Sequence, residues 1–290
     1  MTGYIFVLLS TLCGSAKGFA GKKSSSDLDT FSKTLFFGAL RTLMCAVIGA
    51  AVCIFKTDIS TISSPAILIS VLSGISMSVF LLTWIMSVRR GAYVQLDVCC
   101  QTGIVIPCIL AAPILGEKVT VMQYAAFAFL IPAISLLSDR GKKATSKMKP
   151  GDIFLLFAVW LSSGVNSLTV KLYSSFTDCD TSFYNLVTFS VAAIVFASAY
   201  FIMRREKPTL PKIHYTVYLP MMAICLYLNI FLQAVAAKHL DSMILFPLQT
   251  VLGLFFSYLM AVFLFKEKPT AKNTVGLFIA TAAIIAINML

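Results

Sequence analysis

A chain of 290 residues with 59% hydrophobic and only 12% charged side chains, and a mean hydropathy of +0.90, cannot wrap its apolar surface in polar groups. Soluble domains carry about 25% charged residues, so a water-soluble globule is excluded and the natural solvent is lipid. The net charge of +11 comes with no basic helix and no interleaving of aromatic and basic residues, which excludes a nucleic-acid partner and points to loops gathered on one side of a membrane.

A helix needs roughly 20 apolar residues to cross the hydrocarbon core. On that measure the sequence predicts an all-α polytopic membrane protein whose first spans are 2–20, 31–55, 65–87, 91–113 and 119–138. The first run lacks a basic leader and reads as a structural helix rather than a cleaved signal. A linker follows at 139–151, carrying Arg140, Lys142, Lys143, Lys147 and Lys149 with glycine and proline. Five more spans follow at 152–173, 181–203, 214–236, 241–264 and 271–290.

The chain also repeats itself. Leu115-Gly116-Glu117-Lys118-Val119-Thr120 and Phe265-Lys266-Glu267-Lys268-Pro269-Thr270 each close one apolar run and open the last of their half, 150 residues apart. Gly3-Tyr4-Ile5-Phe6 and Gly151-Asp152-Ile153-Phe154 open the first and sixth runs at an offset of 148. Two echoes in the same order make 1–138 and 152–290 copies of one unit. Five helices per copy is an odd number, so the second copy is inverted relative to the first, a 5+5 inverted repeat.

The loops and flanks between spans 1–2, 3–4, 5–6, 7–8 and 9–10 hold 18 of the Lys and Arg residues, against Lys56, Lys118, Lys171 and Lys238 on the other face. The positive-inside rule then puts the richer face in the cytoplasm and both termini outside. Of the eight cysteines, Cys13, Cys45, Cys53, Cys99, Cys100, Cys108 and Cys225 fall inside apolar runs, with no CxxC. They read as packing residues, neither a zinc site nor a disulfide framework. Walker A, GxSxG and HExxH motifs are absent from the sequence, and His214 and His239 flank loops without a second ligand at metal spacing, so no cofactor, metal or catalytic machinery is expected.

The phrase around Gly116-Glu117-Lys118 and Thr120, with its second copy at Glu267-Lys268 and Thr270, resembles the signature of the EamA-type transporters of the drug/metabolite transporter superfamily. Arg90-Gly91-Ala92 leading into Gly103-Ile104-Val105-Ile106-Pro107, and Ala236-Ala237 leading through Pro247 towards Phe256, fit the same pattern. Lys266 departs from it, standing where the family has glycine. The resemblance implies ten helices, a central cavity, transport of a small organic metabolite without ATP, and both termini in the cytoplasm, opposite to the charge count.

Polar groups inside the spans are then candidates for the cavity, because they are expensive in lipid. Arg41 lies near the middle of the second span and Asp97 in the fourth; each would cost roughly 2.5–3.5 kcal/mol at the bilayer centre. Either they pair with each other, or they bind a charged substrate group or a proton. Lys17, nearer a span end, reads as a side chain that snorkels to the interface. Asp97 and Gln101 share a helical stripe, as do Cys225, Asn229 and Gln233, and Trp160, Ser163 and Asn166, while Ser76, Phe80 and Trp84 follow one face of the third span. Gln249 sits just after Pro247, and Pro107, Pro113, Pro132, Pro220 and Pro247 are candidate breaks in the helices. The expected lining is Trp84, Asp97, Gln101, Trp160, Asn166, Asn229, Gln249 and Arg41. Gly74, Gly103 and Gly253 read as points of close helix contact, and the Glu-Lys pairs as loop caps.

The sequence-level expectation is a secondary active transporter in the cytoplasmic membrane, a monomer or homodimer surrounded by lipid. It would move an amino-acid-like compound, nucleobase, sugar or related metabolite by alternating access, with Asp97 as the site for proton coupling. The alternative from another class is a membrane-embedded lipid-handling protein or enzyme using the same cavity. The absence of histidine from the interior of the spans, His214 standing at a loop end, weighs against it.

Overall fold

The computed structural model describes residues 2–24, 28, 30–57, 62–89, 99–100, 102–137, 150–203, 211–263 and 271–289. Most of the basic linker, the Arg90–Gln101 stretch apart from Cys99 and Cys100, and the second signature phrase at Phe265–Thr270 lie outside them.

The described helices are α1 (Thr2–Ser24), α2 (Phe31–Lys56), α3 (Ser64–Arg89), α4 (Val105–Leu115), α5 (Val121–Leu137), α6 (Pro150–Phe176), α7 (Thr181–Met203), α8 (Leu219–Ala237), α9 (Ser242–Phe263) and α10 (Ala271–Met289). A π turn at His214–Tyr218 runs directly into α8. No strand occurs among the described residues. Each helix falls on an expected span with ends within about one turn, apart from α4, whose expected first half lies outside the described residues. Six helices are long and apolar enough to cross a membrane, on α1, α2, α3, α6, α7 and the π turn with α8; Val121–Leu130, Ser242–Phe256 and Thr274–Ala283 are shorter apolar stretches. The outward faces carry bare aliphatic and aromatic side chains such as Ile54, Phe55, Leu68, Ile202 and Phe278, the surface a hydrocarbon solvent selects.

The chain divides into two compact units, one formed by Met1–Ser78 with Leu172–Lys238 and the other by Val79–Lys171 with His239–Leu290. Both draw on both halves of the sequence.

In the first unit α1 packs on α8, and α2 packs on α7 and α8. Burial of apolar surface gives no preference between helix and lipid, so close backbone approach and interhelical hydrogen bonds must select these contacts. Glycine supplies the approach. A Cβ on Gly38 would stand 3.0 Å from the Phe196 ring, and one on Gly49 3.1 Å from the Leu186 Cα. On Gly74 it would meet the Val191 Cβ at 2.6 Å and the Thr188 carbonyl oxygen at 2.7 Å. Hydroxyls supply the bonds: Ser73 Oγ and Tyr184 Oη are 2.6 Å apart, Thr188 Oγ1 donates to Ser70 O at 3.3 Å, and Thr57 Oγ1 lies 3.2 Å from Ser182 Oγ.

In the second unit α5 packs on α10, and α9 on α4, α5 and α10. Gly103 and Gly164 are in close approach, and Leu156 and Val159 of α6 pack with Phe80, Cys99 and Cys100. Gly253, expected as a third contact point, has nothing among the described residues within 4 Å of where a Cβ would stand, so no close contact is seen there.

The start of α5 is locally encoded. Thr120 Oγ1 accepts from Gln123 N at 3.2 Å, and Gln123 Oε1 accepts from Thr120 N at 3.0 Å, the reciprocal capping box. Thr120→Ala should cost about 1 kcal/mol and show as faster amide exchange confined to the first turn of α5. Exchange that stays unchanged there would remove the box from the account of that helix start.

Candidate functional site

The first unit holds the charge that most needs explaining. Along α1, Ser10, Gly14, Lys17, Gly21 and Ser24 recur at intervals of four and three, which places them on one face. That face meets α8. Ser10 Oγ donates to Asn229 O at 2.8 Å, and Asn229 Nδ2 donates back to Ser10 O at 2.8 Å and to Ser10 Oγ at 3.0 Å. A Cβ on Gly14 would come 3.1 Å from Asn229 Nδ2, and one on Gly21 3.5 Å from the Met222 Cε. Ser24 Oγ lies 3.8 Å from Met222 Sδ, and His214 Nε2 lies 3.4 Å from Ser24 O, where only an N–H on that nitrogen can bond a carbonyl.

Lys17 therefore stands on the contact face, between the Gly14–Asn229 and Gly21–Met222 contacts. It is half-buried and lies within electrostatic reach of Arg41, Cys45 and Cys225. This differs from the interfacial, snorkelling role read from its position in the span. The end of a helix decides solvent access only where the side chain faces outward, and this stripe of small and polar residues turns inward.

Arg41 approaches the same stretch of α8 from α2. One turn further along α2, Cys45 Sγ donates to Ala223 O at 3.3 Å. The Arg41 Nε is fully enclosed and has no hydrogen-bond partner among the described residues. Lys17 on α1 and Arg41 on α2 thus both belong to helices packed against α8, at the level of its Met222–Asn229 stretch. The described acidic residues of this unit, Asp178 and Asp180, lie in the α6–α7 turn, where Asp180 Oδ1 accepts from Ser182 N at 2.8 Å. That turn adjoins Thr57 through Ser182, and Thr57 is roughly 24 Å along α2 from Arg41 at 1.5 Å per residue. A carboxylate that distant offers no direct compensation.

Of the other expected lining residues, Asn229 commits its amide to α1 as described. Trp84, Trp160, Asn166 and Gln249 all belong to the second unit. Trp84 is exposed, whereas Trp160, Asn166 and Gln249 are half-buried. Phe80, one turn before Trp84, packs on Leu156 and Val159 of α6. Trp160 stacks on Phe157 with centroids 5.8 Å apart, and Ser163 Oγ donates to Trp160 O at 3.0 Å and Cys100 O at 3.3 Å. Asp97 and Gln101 lie outside the described residues.

The signature phrase has its own geometry in the second unit. Gly116 ends α4 at φ +68°, a left-handed step that glycine takes without strain. It delivers Glu117 to the N-terminus of α9: Ser242 N reaches Glu117 Oε1 and Oε2 at 3.2 and 3.0 Å, and Ser242 Oγ donates to Oε1 at 3.2 Å. Lys171 of α6 closes the node, with Nζ 3.0 Å from Glu117 Oε1 and 2.6 Å from Leu240 O. Both side chains are 7% exposed. A carboxylate at a helix N-terminus satisfies free amide groups and the positive end of the helix dipole together. Glu117 is thus a cap, as its loop position led one to expect, but for a helix 125 residues away. Lys171, read from sequence as a loop charge, is the buried partner of Glu117 that spacing alone does not reveal.

Residues 150–289 match a family described as the EamA-like transporter family. None of the curated proteins matches the chain. Among solved structures, a crystal structure of a protein 13% identical in sequence superposes with a TM-score of 0.77, covering 99% of this chain and 96% of its own. A likeness at that identity speaks to the fold alone, but it extends over both halves.

Proposed function

We propose, from the match of residues 150–289 to the EamA-like transporter family, that the chain belongs to that family and is a secondary active transporter moving a small organic metabolite across the cytoplasmic membrane by alternating access. It is a multi-pass integral membrane protein: its family is one of membrane transporters, and six of its helices are long and apolar enough to span. The family match is the observation that carries the reading. Cationic and amide side chains held inside apolar helices support it, since lipid-facing helices have no use for them. The duplicated signature supports a ten-helix inverted repeat as the architecture that alternates.

Purified full-length protein in proteoliposomes should take up at least one compound from a broad panel of amino acids, nucleobases, sugars and organic acids, saturably and without ATP. Absence of both uptake and exchange across the panel, from protein that remains monodisperse, would defeat the proposal. Asp97 is the proposed proton site. Asp97→Asn should abolish accumulation driven by a pH gradient while leaving substrate exchange intact, and a variant that still accumulates substrate against its gradient would remove Asp97 from that role.

A further inference from the structure

We propose that Lys17 and Arg41 form a binding site for an oxyanion, so that the transported metabolite carries a carboxylate or phosphate group. The inference rests on the transporter reading for its biological sense and on the first unit alone for its geometry. The α1 face that carries Lys17 is fixed against α8 on both sides, by Gly14 and Ser10 at Asn229 and by Gly21 and Ser24 at Met222. Arg41 is fixed one turn from the Cys45–Ala223 hydrogen bond. Lys17 and Arg41 thus stand on helices packed against the same stretch of α8, within electrostatic reach of each other.

This arrangement is poor as structure and good as a site. Two like charges in a low-dielectric interior repel, and the enclosed Arg41 Nε makes no hydrogen bond among the described residues. A guanidinium offers a planar fork of donors that matches carboxylate and phosphate oxygens, and an ammonium adds three rotatable donors. An oxyanion between them would satisfy the open N–H and neutralise the repulsion at once. A neutral sugar or nucleobase would do the first only in part and the second not at all. A cation would make both worse. Asn229 and Ser10, bonded to each other, hold the wall beside Lys17 rigid, so that less ordering is left for the ligand to pay.

Two arms test this on the full-length protein in detergent and in proteoliposomes. In the binding arm, inorganic phosphate, succinate and the neutral succinamide are titrated while thermal unfolding is followed, since a ligand bound only by the folded state raises the transition. Phosphate or succinate should raise it and succinamide should not. Lys17→Gln and Arg41→Gln should each weaken the effective concentration by about 10- to 150-fold, the range for a hydrogen bond to a charged group. Arg41→Lys and Lys17→Arg, which keep the charge, guard against misfolding and should retain part of the shift. Whether phosphate or succinate is the stronger ligand separates the two sources of the oxyanion. In the transport arm, the same variants should raise KM for whichever anionic metabolite is carried.

A shift that survives in both Gln variants, or no shift with either anion, overturns the site and leaves the Arg41–Asp97 pair as the account of Arg41. Saturable flux of a neutral metabolite that neither variant alters overturns the substrate class while the transporter reading stands. Anion binding lost in the variants, together with no flux of any compound, keeps the site and defeats the transporter reading instead.

Discussion

Lys171→Ala is expected to destabilise the protein by about 3–5 kcal/mol, because it strands the buried Glu117 carboxylate without its counter-charge. The geometry decides between this figure and the 0–1 kcal/mol typical of surface pairs. Glu117 and Lys171 are each only 7% exposed, and the ammonium is shared between Glu117 Oε1 and the Leu240 carbonyl. Ser242 would still donate to the carboxylate from its amide and hydroxyl, which argues for the lower half of the range. Glu117→Gln combined with Lys171→Met removes both charges and keeps most of the volume, so the double variant should lose no more than about 1–2 kcal/mol, roughly one charge-assisted hydrogen bond. The two changes therefore couple by at least about 1 kcal/mol, as contacting groups do. Thermal unfolding of the variants in one detergent measures this. A loss under about 1 kcal/mol for Lys171→Ala would show that the Ser242 cap alone suffices and that the ion pair is incidental.

That node marks where a one-dimensional reading stops. The helices were legible because a span must be apolar for about 20 residues whatever it packs against, and α7 at 181–203 matches its expected bounds at both ends. Glu117 was legible as a cap because Gly-Glu at the end of an apolar run suits the step out of a helix. Its partners were not, because Ser242 and Lys171 are brought to it by the fold and by nothing local. Lys17 departs from expectation for a different reason: distance along the span points to the interface, whereas the neighbours at three and four residues set the face on which it stands. Ser10, Gly14, Gly21 and Ser24 on the same stripe are small or polar, and lipid gives no reason to collect such residues on an outward face. The converse case is Gly253, a small residue beside which a Cβ would meet nothing among the described residues. Composition marks a position as able to pack closely, and only the tertiary arrangement says whether a neighbour arrives. Arg41 stands out in the sequence as a charge inside a span, but its expected partner Asp97 lies outside the described residues.

Gly164 and Gly253 turn this distinction into a measurement, since the same Gly→Ala change should have opposite signs at the two positions. A Cβ on Gly164 would stand 2.6 Å from the Gly103 carbonyl oxygen and 2.8 Å from the Ile106 Cβ. Neither is the loose end of a flexible side chain, so the segments at Gly103–Ile106 and Gly164 must separate. The Ser163 bond to the Cys100 carbonyl, 3.3 Å at present, would be strained with them. Overpacking of this kind costs about 1–3 kcal/mol, more than the helix propensity that alanine gains over glycine, about 1 kcal/mol. Gly164→Ala should therefore destabilise, and Gly164→Val should do so further. At Gly253 only the propensity term remains, so Gly253→Ala should be neutral or stabilising by up to about 1 kcal/mol. Unfolding of both variants under one condition reads the difference, which should reach about 1–3 kcal/mol. Equal effects at the two sites would mean that the Gly103–Gly164 approach is not rigid and that these segments have room to give. In that case the close packing that fixes α6, and with it the placement of Trp160 and Asn166, would have to come from the Leu156–Val159 contacts with Phe80, Cys99 and Cys100 instead.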